Sequence, residues 1–266
     1  MNPSLPIYDA HNHLQDPRLA SHLPNIIEAL TALPVRKAVV NGTRPEDWPA
    51  VAELARRHGW IIPSYGLHPW YVNQICENWR DQLTEHLSDP KAAIGEIGLD
   101  RWIPDHDTAR QEDAFLYQLH LASSLNRPVT IHCLKAWGRL LEILQQQKLP
   151  SGFLLHSYGG PAEMIPAFTS LGAYFSLSGH FAHPRKTRQR EAFQKIPTNR
   201  LLIETDAPDM IPSPEFTPQN LPSNLNHPAN IQAIYTFASE LYNIPLEQLT
   251  SQIETNFNNF FRPIPN

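Results

Sequence analysis

Cysteine is scarce: Cys76 and Cys133 are the only two in 266 residues. Two thiols in a chain this long build no disulfide framework, so the fold must rest on its apolar core. Long hydrophobic runs are missing as well. No stretch approaches the roughly 20 apolar residues that cross a bilayer. The opening Met-Asn-Pro-Ser-Leu-Pro has neither the charged nor the apolar region of a secretory leader. These absences point to a cytoplasmic protein without a membrane segment. Positive charge is not in excess either, with 21 Lys and Arg against 26 Asp and Glu and a net charge of −5. That argues against a broad basic surface holding duplex nucleic acid through counterion release. An anionic substrate stays open, because bound cations would supply local positive charge.

What is present is an ordinary hydrophobic fraction of 41%, with 26 prolines that punctuate the spaces between short apolar runs. Eight such runs can be counted: Ile7–Leu14, Lys37–Thr43, Ile61–His68, Ala92–Leu99, Pro128–Cys133, Gly152–Ser157, Ala173–Gly179 and Leu201–Asp206. Most are continuously apolar up to a polar last residue, as in parallel strands buried on both faces. Helical spacing lies between them. Phe115, Leu119 and Ala122 share a face within Gln111–Leu125, with Thr108 and Gln111 reading as a capping box. Trp137, Leu140, Leu141 and Leu144 repeat the pattern. So do Leu246, Leu249, Ile253, Phe257 and Phe260, with Pro245 in the first turn.

Alternation of strand and helix eight times over predicts an α/β fold, a (β/α)8 TIM barrel formed by a single domain over 1–266. The competing open, doubly wound sheet would carry a Gly-rich phosphate turn after its first strand. Here that strand ends in His-Asn-His-Leu-Gln. Pro208 to Pro228 holds six prolines and reads either as a lid over the mouth or as a rigid surface loop.

Chemistry in such a barrel sits at the C-terminal ends of the strands. His11 and His13 lie two apart, so a strand presents both imidazoles on one face. Glu96, His132, His156 and Asp206 stand at or near the ends of four other runs. Each alone has a bland reading, as a hydrogen-bonded core histidine or a solvated carboxylate. Six ligand-type residues at one end of one barrel make a two-metal hydrolytic site the better reading. In it, His11, His13 and Asp206 hold one ion, His132 and His156 hold the other, and the Glu96 carboxylate bridges them. Two divalent ions so placed activate a water and neutralise a scissile phosphate, with Asp206 as a general base. Four imidazoles favour Zn, Mn or Fe over Mg. His68, Asn41 and Arg185, the last in the basic cluster Arg185, Lys186, Arg188 and Arg190, are candidates for substrate contact at the mouth. Glu204 shares a face with Asp206 but lies deeper, and Cys133 alternates away from His132 into packing.

These motifs in order resemble the TatD family of metal-dependent deoxyribonucleases, within the amidohydrolase-like barrels. They run from Asp9-Ala-His-Asn-His13 through Gly66-Leu-His-Pro69 and Gly95-Glu-Ile-Gly-Leu-Asp100 to Pro128-Val-Thr-Ile-His132. Leu155-His-Ser-Tyr-Gly-Gly160, Glu204-Thr-Asp-Ala-Pro208 and Asn256-Phe-Asn-Asn-Phe-Phe261 complete the set. The resemblance implies divalent-metal hydrolysis of DNA, as single strands or strand ends, of the exonuclease type. It places the family's ligands on the same six residues. Two departures stand out. Leu134 and Lys135 replace the usual Arg and acid after the fifth strand, and Leu225-Asn-His-Pro228 replaces Arg-Asn-Glu-Pro. They turn attention to substrate preference. The alternatives are a hydrolase of small amides, esters or phosphoesters, and a metal-binding protein without catalysis.

Overall fold

The computed structural model describes residues 5–262; the first four residues of the opening segment lie outside it. All eight expected strands form: β1 (Ile7–Asn12), β2 (Val35–Asn41), β3 (Ile61–Tyr65), β4 (Ala93–Asp100), β5 (Val129–Leu134), β6 (Phe153–Leu155), β7 (Ala173–Ser178) and β8 (Leu201–Glu204). They pair in parallel, each with its sequence neighbour, in the order β1 to β8. The β8–β1 seam is drawn together at its C-terminal end by Asp206 N donating to His11 O (2.9 Å) and His13 N to Ala207 O (2.8 Å). The (β/α)8 barrel is thus observed, and the doubly wound alternative is excluded by strand order.

Among the described residues, nine α-helices alternate with or follow the strands: α1 (Leu23–Ala32), α2 (Trp48–Arg57), α3 (Trp79–His86), α4 (Thr108–Leu125), α5 (Trp137–Gln145), α6 (Ile165–Ser170), α7 (Thr187–Phe193), α8 (Ile231–Tyr242) and α9 (Leu246–Phe260). Apolar side chains divide into two layers. The larger one joins strands to helices and includes Ile7, Val40, Ile94, Phe115, Leu119, Ile131, Cys133 and Phe175. The smaller one gathers Tyr8, Ala10, Val39, Ala93, Leu154, Tyr174 and Leu202 with Phe257, Phe260 and Phe261. Most of these are early residues of their strands, so the chain's last helix plugs the N-terminal end of the barrel. The opposite end is left for polar groups.

Three local details differ from the sequence reading. Thr108 is not the cap of α4; Asp107 is, accepting from Arg110 N. Gln111 turns inward, accepting from Asp100 N (2.9 Å) and donating to Asp100 O (2.9 Å). Pro245 caps α9 from one residue outside it. The proline-rich segment is neither structureless nor free. It carries a short antiparallel pair, Asn220–Leu221 with Leu225–Asn226, and is tied down by Asn226 N to Pro208 O and by Asn230 to the Gln219 backbone. Its hydrogen bonds make it a pinned strap, and only Asp209 and Met210 from it line the cleft.

Candidate metal centre

The strand ends deliver the six expected side chains to one place. Glu96 and His132 lie within β4 and β5, while His13, His156 and Asp206 sit one or two residues past the ends of β1, β6 and β8. Pairing of β1 with β2 changes register between Asp9 and Asn12. Tyr8 and Ala10 already belong to the interior layer, so plain alternation would turn His11 away; the register change resets it inward. The seam residues around it are locked by Asp9. Its carboxylate accepts from Thr205 N (3.0 Å), Thr205 Oγ1 (2.6 Å) and His11 N (3.2 Å). Asp206 takes a left-handed φ of 51° there, a conformation an Asp tolerates better than most residues. β4 and β5 meet closely: Gly98 faces His132 O so tightly that a Cβ would lie 2.0 Å from it.

Glu96 stands at the centre, with its two oxygens serving two groups. Oε2 lies 3.5 Å from His11 Nε2 and 3.3 Å from His13 Nε2, and Asp206 Oδ1 is 3.5 Å from both nitrogens. Oε1 lies 3.0 Å from His132 Nδ1, 2.7 Å from His156 Nε2 and 3.3 Å from His68 Nε2. Deeper in the barrel, Glu204 is buried and accepts from Ser176 Oγ. Its Oε1 is 3.7 Å from His156 Nδ1, beyond a hydrogen bond, and both atoms lack partners.

Outer hydrogen bonds set the tautomers. His13 Nδ1 donates to Asn41 O (2.7 Å), which leaves the Nε2 lone pair for the centre. His132 Nε2 donates to Asp100 Oδ2 (3.0 Å), which leaves Nδ1. His68 is arranged the other way round. Its Nδ1 accepts from Trp70 N (3.2 Å), so a neutral ring carries its proton on Nε2 and offers a donor, not a lone pair.

The electrostatics follow from burying two carboxylates among imidazoles. Burial alone would raise Glu96, yet His156, His68 and His11 outweigh it and hold the carboxyl well below the usual range. Asp206 is likewise lowered against its burial, chiefly by the His13 hydrogen bond. Burial opposes charge on His13 too, but its hydrogen bonds to Asp206 and Glu96 carry it well above an ordinary histidine. His156 is raised in the same way, chiefly by Glu96. Burial pushes His68 down to about 4 and also lowers His11. The pocket therefore demands positive charge, and protons or cations can meet the demand. Buried imidazole and carboxylate donors converging from five strands fit divalent cations.

The chain matches the family model described as TatD related DNase over residues 8–262. It belongs to the TatD-related DNase family. Among curated TatD-type relatives, the 3'-5' ssDNA/RNA exonuclease TatD of Escherichia coli K12 is 31% identical over 86% of this chain and 88% of its own. The uncharacterized metal-dependent hydrolase YjjV of the same organism is 28% identical over 93% and 95%. The crystal structure of YjjV, a TatD homolog, superposes with a TM-score of 0.88 at 26% identity, covering 97% of this chain and 98% of that one. A TatD-family hydrolase from Entamoeba histolytica, 19% identical at a TM-score of 0.86 over 97% and 98%, shares the fold. The chain is thus an enzyme of the TatD family of metal-dependent hydrolases.

The three residues expected at the mouth fare differently. His68 is within the cluster. Asn41 is fully buried and its side chain does not line the cleft; its carbonyl accepts from His13 Nδ1 and Gln15 Nε2. Arg185 is exposed and does not line the cleft. Its neighbour Arg190 is spent on the carbonyls of Phe181, His183 and Pro184. Of the two departures from the family pattern, Leu134 lines the cleft. His227 does not: its Nδ1 accepts from Ala229 N at the start of a helical turn. Sequence reasoning missed Arg18, Arg44, Trp70, Trp102 and Asp100. All but Asp100, at the last residue of β4, lie in loops directly after strands, which was the available signal.

Proposed function

We propose that this protein is a two-metal nuclease that hydrolyses phosphodiester bonds in single-stranded DNA or RNA, working from an end. One ion would be held by His11 Nε2, His13 Nε2, Asp206 Oδ1 and Glu96 Oε2. The other would be held by His132 Nδ1, His156 Nε2 and Glu96 Oε1. The observation that carries this reading is the split carboxylate of Glu96, each oxygen facing its own set of imidazoles. Imidazole-rich shells favour Zn or Mn over Mg. Such ions supply a water of lowered pKa and neutralise charge on the phosphate.

The protein's own groups do the rest. Asp206 has a second oxygen free to accept a proton from the attacking water, within a site buried enough to strengthen the exchange. His68 presents Nε2–H toward the same space and can donate to a phosphate oxygen. A cleft of about 690 Å³ is of small-molecule size, which suits a strand end better than a duplex. The printed activity of its TatD relatives favours the same reading. Both cysteines are free, which fits a reducing, cytoplasmic setting.

The test loads the protein with Mn or Zn and offers end-labelled single-stranded DNA, then a panel of esters and amides. DNA shortening that is lost in Glu96→Ala supports the proposal. Ester or amide turnover by metal-loaded protein that leaves DNA intact refutes it.

A further inference from the structure

Trp70 and Trp102 are 47% and 62% exposed. Among the described residues only Leu125, at 36%, joins them as an exposed large apolar side chain, and it ends α4 away from the cleft. Both tryptophans line the mouth of the metal centre. Neither is loose. The Asp100 carboxylate accepts from Trp70 Nε1 (2.6 Å), from Trp102 N (2.7 Å) and from His132 Nε2 (3.0 Å). One buried anion thus ties two exposed indole-bearing residues to a metal-facing imidazole. The Trp70 ring stands edge-on to His68 and His132, with centroids 5.0 and 6.3 Å away.

The cations at the mouth are already engaged. Arg18 pairs with Asp16 and Asp209, at 2.7 Å each. Arg44 lies over the Tyr71 ring at 4.6 Å and beside Glu46. Leu134 adds apolar surface to the cleft. Little ionic grip is left for a polyanion beyond the metal centre itself, whereas two exposed aromatic faces are on offer, that of Trp70 held by its indole N–H and that of Trp102 carried on a fixed backbone. Every nucleobase has a π-face, and stacking on tryptophan needs no particular sequence.

We propose that Trp70 and Trp102 form a nucleobase-stacking subsite, which holds the terminal base of a single strand while its phosphodiester lies over the Glu96 cluster. This rests on the nuclease reading above. Interior bases of a duplex have both faces stacked on their neighbours, so the subsite favours frayed or unpaired ends. Anchoring of the Trp70 indole by Asp100 lowers the ordering cost of binding at that face.

The test uses the metal-loaded full chain and single-stranded oligonucleotides with bases throughout or with abasic residues at both ends. Trp102→Ala is expected to lower kcat/KM on the base-bearing strand by about 5- to 150-fold, the range set by stacking one base. Abasic ends are expected to cost the wild type a similar factor, and the two losses are expected not to multiply. Trp102→Phe should recover most of the loss, and metal content should match the wild type. Losses that multiply, or a Trp102→Ala protein equal to wild type on base-bearing DNA, overturn the stacking subsite while leaving the nuclease reading intact. A metal-loaded wild type that cleaves neither strand overturns the nuclease reading, and the subsite with it.

Discussion

Asp100→Asn is the most searching perturbation of the centre, because it changes no ligand and almost no volume. The carboxylate is fully buried and accepts four hydrogen bonds: Oδ1 from Trp102 N and Ile103 N, Oδ2 from Trp70 Nε1 and His132 Nε2. Asparagine keeps one acceptor oxygen. If that oxygen stays with the backbone donors, the new amide faces His132 Nε2. The imidazole must then accept there and carry its proton on Nδ1, the atom turned toward Glu96 Oε1 at 3.0 Å. The lone pair proposed to bind the second ion is then capped. Loss of such an outer partner costs about 10- to 100-fold in metal affinity, or about 1.4–2.7 kcal/mol. If the amide flips, two backbone N–H groups lose their acceptor, at about 1–3 kcal/mol each, and the Trp102 loop loosens. Calorimetric titration with Zn or Mn, with metal content measured on the same samples, reads the result. The reasoning is refuted if Asp100→Asn binds every equivalent of metal as tightly as wild type and melts at the same temperature.

Three further outcomes are expected. Metal binding should release protons at neutral pH, because His13 and His156 are held protonated well above the ordinary histidine range and must give up that proton to bind a cation. Affinity should therefore fall as pH falls, and titration heats should vary with the ionisation enthalpy of the buffer; heats independent of buffer would contradict the assignment. Gly98→Ala should lower the melting temperature by roughly 2–12 °C, from an overpacking cost of about 1–3 kcal/mol, since its Cβ would meet the His132 carbonyl at 2.0 Å. Thiol titration of the native protein should count one reactive cysteine, exposed Cys76, because burial removes Cys133 from reach and pushes its thiol up; denaturation should reveal the second.

Strand positions, the parallel barrel and the six converging donors were legible in the amino-acid order. Continuous apolar runs have one low-energy fate in a long α/β chain, and ionisable residues at their ends must find partners once buried. Those are local signals, carried by each segment alone. Long-range packing settled the rest. It determined that His13 and His132 offer opposite ring nitrogens, because Asn41 O and Asp100 reach them from other strands. It made His68 a donor, withdrew the Asn41 side chain and Arg185 from the mouth, and put Trp70 and Trp102 there instead. Which nitrogen carries a proton, or which loop side chain reaches the cleft, depends on atoms distant in sequence, and no periodicity within one segment encodes them.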